Sequence, residues 1–135
     1  MKVLVLDDSR FRHKYFQAQL QGHEVVSAWN YTQFCQALQG QGFDLICLDH
    51  DLGDFLEADK DGDRYLDGRD CVRFMTQVLT SDKPRPRCVL VHSWNPPAAQ
   101  QMMNMLWDHG FTGVRRWSFN DGEKLADVLL GLDGL

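Results

Sequence analysis

The chain has 135 residues, 44% of them apolar, and a formal charge of -5. This is one domain's worth of sequence with enough apolar content for a core, which excludes a disordered segment. The acidic balance excludes an extended nucleic-acid surface, which needs clustered Lys and Arg; a site for a single phosphate end stays open, and among carboxylates it would need a cation.

Strand and helix patterns alternate to the end. Val3 to Leu6 is a short continuous apolar run, as expected of a parallel strand buried on both faces. Asp8 or Ser9 caps a helix through about Leu20, with Phe11, Tyr15 and Phe16 on its inner face, and Gly22 ends it. Glu24 to Trp29 reads as a second strand. Thr32 opens a helix carrying Phe34, Cys35 and Leu38 that stops at Gly40 and Gly42. Phe43 to Leu48 is a third strand, followed by Asp49-His50-Asp51 and a polar insertion at about 53–67. The next helix places Val72, Met75 and Leu79 on one face. After the Lys83-Pro84-Arg85-Pro86 turn, Cys88 to Val91 is a fourth strand, ending in His92-Ser93-Trp94-Asn95. Pro96 and Pro97 open a helix with Met102, Met105 and Leu106 inward; Met102, Met103 and Met105 form a core cluster, with Met103 at its exposed margin. Thr112 to Arg116 is a weaker fifth strand. A last helix, from about Asp121, carries Leu125, Val128, Leu129 and Leu132.

Five such pairs predict a single α/β domain over 1–135, a parallel sheet with helices on both faces. The four cysteines, Cys35, Cys47, Cys71 and Cys88, form no CxxC pair and sit in apolar runs, so they read as reduced and buried. That predicts a cytoplasmic protein. The opening MKVLVLDDS is too short and too soon acidic for a signal peptide, and no apolar stretch reaches membrane-spanning length.

In a parallel sheet, ligands bind beyond the carboxyl ends of the strands. Those ends carry Asp7-Asp8, Asp49-His50-Asp51, His92-Ser93-Asn95 and Arg115-Arg116. Clustered carboxylates repel one another, and a divalent ion relieves this. Mg²⁺ prefers oxygen ligands and keeps positions that phosphate oxygens take over. Asp7, Asp8, Asp49 and Asp51 are therefore candidate metal ligands, and Ser93, Asn95 and Arg116 candidate phosphate contacts. His50 and His92 follow neighbouring strands, about 4.8 Å apart in backbone spacing, and histidine serves both as acid and as base near neutral pH. With Asp49 they form the candidate catalytic set. Asp59-Lys60-Asp61-Gly62-Asp63 has the flavour of a calcium loop. It lacks that loop's later Gly and Glu, so a solvated insertion, able to act as a lid, is the better reading. Trp94 is placed either to stack on a base or to pack on the prolines. His13, His23 and His109 read as surface positions.

These positions resemble a response-regulator receiver domain along nearly the whole chain. The matching features are Asp7-Asp8 after the first strand, Asp49 after the third, Ser93 after the fourth, and Asp67-Gly68 before the third helix. The resemblance implies a flavodoxin-like fold with strand order 2-1-3-4-5. It also implies Mg²⁺ at the double acid and a phosphoryl-accepting Asp49. The chain departs from ordinary receivers in having Gly53 where a Pro is usual after the acceptor. The stretch Arg115-Arg116-Trp117-Ser118-Phe119 carries no Lys after the fifth strand. Together Leu48-Asp49-His50-Asp51-Leu52 and His92-Ser93-Trp94-Asn95 resemble the divergent cyclic-phosphate-processing receiver family. That resemblance implies a metal-dependent phosphoesterase acting on a small phosphate-bearing substrate or a nucleic-acid end. The alternative is a stand-alone receiver, phosphorylated on Asp49, that signals through a protein partner.

Overall fold

The three inner strands are short apolar runs, and each is followed at once by a polar residue: Asp7, Asp49 or His92. The computed structural model describes residues 1–53, 57–119 and 124–133, with backbone alone at 132–133. In chain order the elements are β1 (Lys2–Leu6), α1 (Arg10–Gln19), β2 (Glu24–Ala28), α2 (Tyr31–Gly40), β3 (Leu45–Leu48), α3 (Gly68–Val78), β4 (Cys88–Val91), α4 (Pro96–Asp108), β5 (Val114–Arg116) and α5 (Leu125–Asp133). The five strands form one sheet in the order β2-β1-β3-β4-β5, with every pair parallel. This is the expected fold and order. The expected helix start near Asp121 and the inner position of Leu132 fall outside the described residues.

The pleat sends successive side chains to opposite faces. Leu4, Leu6, Ile46, Leu48, Val89 and Val91 pack in one core layer with Phe34, Leu38, Val72, Met75, Met102 and Leu106, the layer of α2, α3 and α4. Val3, Val5, Leu45, Cys47, Cys88 and Leu90 pack in the other with Phe16, Leu20, Trp117, Leu125 and Val128, the layer of α1 and α5. This two-sided burial is why the strands read as continuous apolar runs.

Local polar groups fix the helix starts. Ser9 caps α1 by accepting from the Arg12 amide, and Asn30 caps α2 through Gln33. Asp67 and Asp70 form a capping box on α3, and Asn95 caps α4 ahead of Pro96 and Pro97. Gly68 fills a special place: a Cβ there would lie 2.1 Å from the Asp49 carbonyl oxygen and 2.8 Å from the His50 Cα. Its amide donates to the His50 carbonyl at 2.8 Å.

Several expectations are corrected. Phe11 is 80% exposed and His13 only 2%, because α1 turns His13, Phe16 and Leu20 inward. Met103 is buried with Met102. The 59–63 stretch is solvent-exposed from Lys60 onward, as expected, and is held as a tight turn: the Asp63 amide donates to Asp59 Oδ1 at 2.9 Å, Gly62 adopts a left-handed φ of 72°, and Ala58 bridges Tyr65. Glu57 ties this insertion to α2 by accepting from the Thr32 amide (2.9 Å) and hydroxyl (2.5 Å).

Candidate functional site

The sheet register builds the site. Leu6 aligns with Ala28 and Leu48, Leu48 with Val91, and Val91 with Arg116. One residue further, the amides of Asp7, Asp49, His92 and Trp117 donate to the carbonyls of Ala28, Leu6, Leu48 and Val91 at 3.0, 2.9 or 3.1 Å. Asp7, Asp49, His92 and Trp117 thus form one row. The pleat turns all four toward the α1–α5 layer.

Asp7, Asp8 and Asp49 each offer a carboxylate oxygen, all within 4.8 Å of one another. Asp7 and Asp49 are buried and Asp8 is half-buried. The cation between them is Arg12, from the first turn of α1. Its Nε donates to Asp7 Oδ2 at 2.7 Å, and its Nη2 donates to Asp49 Oδ2 at 3.1 Å and Asp8 Oδ1 at 3.4 Å. Asp7 Oδ1 accepts from the Ser9 amide, and Asp49 Oδ1 from the His50 amide, at 2.8 and 2.9 Å. Arg12 is the main residue that the sequence reading missed. The available signal was its place four residues after Asp8, where helical side chains meet.

His92 has no exposed side-chain surface; its Nε2 donates to Asp7 Oδ2 at 2.9 Å and its ring packs on Phe16 and Phe119. Burial holds it below the ordinary histidine value in spite of Asp7. His13 donates from Nε2 to the Asp7 carbonyl at 2.7 Å and stacks on Trp29 at 3.9 Å, so two buried histidines hold one aspartate. Burial alone would raise the Asp7 carboxyl, but the bonds from His92 and Arg12 hold it down at about 2. Burial, with the charge of Asp7 added, pushes Asp49 up to about 8 against the pull of Arg12.

His50 lies two residues past β3, so the pleat turns it to the opposite face from His92. Its Nδ1 meets Asp51 Oδ1 at 2.8 Å and its Nε2 faces Asp67 Oδ2 at 3.3 Å. The Asp67 carboxylate, with Asp51 behind it, lifts the imidazole above its ordinary value despite burial. In Asp67 itself, burial is outweighed by His50 and Arg69, and the carboxyl sits well below the usual range. The structure therefore does not bring the two histidines together. It also places Asp51 outside the carboxylate cluster, 67% exposed and bonded to His50.

Ser93 is buried, and its Oγ accepts from the Asn95 amide at 3.1 Å. Asn95 Oδ1 accepts from Ala98 N at 3.1 Å, which leaves its carboxamide nitrogen to donate. Arg116 reaches back from the end of β5 to the Ser93 carbonyl at 2.7 Å, with its Nε buried and unpartnered. Trp94 beside them is 54% exposed.

The sheet order and the acid row at its carboxyl edge define a receiver domain of the response-regulator kind. Solved structures with the same fold include a Francisella response-regulator receiver domain, 14% identical with a TM-score of 0.63, covering 98% of this chain and 93% of that one. A CheY-like receiver domain protein from Methanospirillum hungatei is 13% identical with a TM-score of 0.65, over 98% and 90%. A Burkholderia pseudomallei response regulator with a phosphorylated aspartic acid, calcium ion and citrate is 16% identical with a TM-score of 0.63, over 97% and 65%. No curated protein matches the chain in sequence. Within the receiver class the chain belongs to the family described as "Cyclic-phosphate processing Receiver domain", whose model matches residues 2–108. Among the described residues, no helix is long and apolar enough to cross a membrane.

Proposed function

We propose that the chain is a metal-dependent phosphoesterase-like receiver domain that processes cyclic phosphate ends of nucleotides or nucleic acids. The observation that carries this reading is the convergence of Asp7, Asp8 and Asp49, in a chain of this family, at the sheet edge where such folds bind ligands. The three carboxylates are a hard oxygen donor set that fits a divalent ion, most simply Mg²⁺. When bound, such an ion supplies positive charge against phosphate oxygens and acidifies water.

The chain's own residues then divide the work. Asp7, Asp8 and Asp49 hold the ion. His50, turned to the opposite face and held between Asp51 and Asp67, seats the start of α3 beside the site and does not face the ion. His92, buried on Asp7, orients that carboxylate and does not touch substrate. The Ser93 hydroxyl, whose oxygen already accepts the Asn95 amide, has its proton to give to phosphate; the Asn95 carboxamide nitrogen and the Arg116 guanidinium are the other donors. Asp51 acts on His50 rather than on the ion. Purified protein with Mg²⁺ or Mn²⁺ should hydrolyse 2′,3′-cyclic nucleotides. Undetectable turnover across several cyclic substrates and both ions would refute the reading.

A second reading is favoured by the Burkholderia pseudomallei neighbour with its phosphorylated aspartic acid. In it, Asp49 accepts a phosphoryl group and the domain signals to a protein partner. A small phosphodonor with Mg²⁺ would then produce a mass increase that Asp49→Ala abolishes.

A further inference from the structure

Arg12 stands where a metal ion would have to stand. Mg²⁺ binds oxygen at about 2.0–2.1 Å and needs its ligands around one point. The Asp8 Oδ1 and Asp49 Oδ2 atoms instead surround Arg12 Nη2, at 3.4 and 3.1 Å, while Nε of the same group holds Asp7 Oδ2 at 2.7 Å. One rigid planar fork thus contacts all three carboxylates. Its side chain is only 22% exposed, so these are partly desolvated, charge-assisted bonds rather than loose surface pairs. An ion drawing an oxygen from each of Asp8 and Asp49 would overlap the guanidinium.

We infer that Arg12 is the resident cation of the carboxylate cluster and that a divalent ion enters only by displacing it. In the metal-free chain Arg12 compensates the buried, ionised Asp7 and bonds Asp8 and Asp49 with the same guanidinium. Metal binding then costs the rupture of its three contacts, so the apparent affinity for the ion is weaker than the donor set alone would give. The inference rests on the metal-holding part of the reading above and is independent of turnover.

The test compares divalent-ion binding by the wild-type chain, Arg12→Gln, and Arg10→Gln as a control from the exposed side of the same helix. Calorimetric titration with Mg²⁺ alone and Mn²⁺ alone should show Arg12→Gln binding about tenfold or more tighter than wild type, a coupling of ordinary size for two linked sites. Arg10→Gln should match wild type. The metal-free Arg12→Gln chain should melt lower than wild type and gain more in melting temperature from saturating metal. Because Arg12→Gln leaves carboxylates uncompensated and can fail to fold, a second measurement uses the wild-type chain. The NMR signal of Arg12 Nε–H should shift and lose its protection from exchange as Mg²⁺ is titrated. Equal or weaker metal affinity in folded Arg12→Gln, or an Arg12 signal unmoved at metal saturation, would overturn the inference while leaving the phosphoesterase reading in place. No metal binding by either chain would overturn both, whereas metal displacement of Arg12 without any hydrolysis would sink the phosphoesterase reading alone.

Discussion

Gly68→Ala tests whether α3 is seated on the Asp49 strand end as tightly as the structure shows. The added methyl would meet the Asp49 carbonyl oxygen at 2.1 Å, the His50 Cα at 2.8 Å and Met102 Cε at 2.9 Å. The first two are backbone and cannot rotate away, so the helix start or the strand end must move. Overpacking of this kind costs up to about 3 kcal/mol. Alanine's better helix propensity returns at most about 1 kcal/mol. The net loss is about 2 kcal/mol, or roughly 8 °C in melting temperature for a domain of this size. Gly40→Ala, at the end of α2 with nothing within 4 Å of its added methyl, is the control and should be neutral or slightly stabilising. Urea denaturation followed by circular dichroism measures both. A Gly68→Ala chain within about 0.5 kcal/mol of wild type would refute the close seating.

His92→Leu removes the buried hydrogen bond to ionised Asp7 and should cost about 2 kcal/mol by the same denaturation assay; a loss under about 0.5 kcal/mol would mean that the bond does not hold Asp7. Asp8→Asn should weaken Mg²⁺ binding about tenfold or more by calorimetry, whereas Asp51→Asn should stay within about threefold, since Asp51 faces His50. The part of the metal-free chain's stability that depends on Asp49, read as the difference between wild type and Asp49→Asn, should fall as pH rises from about 4 to about 8. In that window folded Asp49 keeps a proton, to about 8, that the unfolded carboxyl gives up near 3.8, so the native state binds more protons and the unfolding free energy falls. Asp7 acts in the opposite sense and lower down: its folded pKa of about 2 stabilises the chain above the unfolded value and loses that effect as pH falls from about 4. Saturating Mg²⁺ should flatten that fall, and a wild-type minus Asp49→Asn difference that rises with pH there would contradict the burial of Asp49.

The fold was legible because the strands are buried on both faces and announce themselves as Val3–Leu6, Leu45–Leu48 and Cys88–Val91 without alternation. The acid cluster was legible for the same reason, since polar residues directly after such runs must stand at the sheet's carboxyl edge. Which way those residues face was harder to see. His50 and His92 look like a pair on adjacent strands, yet one lies two residues past its strand and the other one, and the pleat separates them. That parity was present in the sequence and outweighed by the chemical appeal of two histidines. Helix phase misled in a similar way. The aromatic Phe11 was read as inner and the polar His13 as outer, whereas the Ser9 cap sets a phase that buries His13, Phe16 and Leu20. Arg12 is hard to see in the sequence because it lies inside a helix, away from the strand ends, and only the i, i+4 spacing from Asp8 ties it to the carboxylates.

The parity that separates the two histidines has a further meaning. Asp49 is the hub of two polar chains that leave the sheet on opposite sides. Through Arg12 it reaches Asp7, His92 and the packing of Phe16 and Phe119. Through the His50 backbone it reaches Asp67, Arg69 and Gln101, and so α3 and α4. A charge gained or lost at this one carboxylate, whether from an ion, a proton or a phosphoryl group, thus has a contiguous run of polar contacts leading to each helical layer.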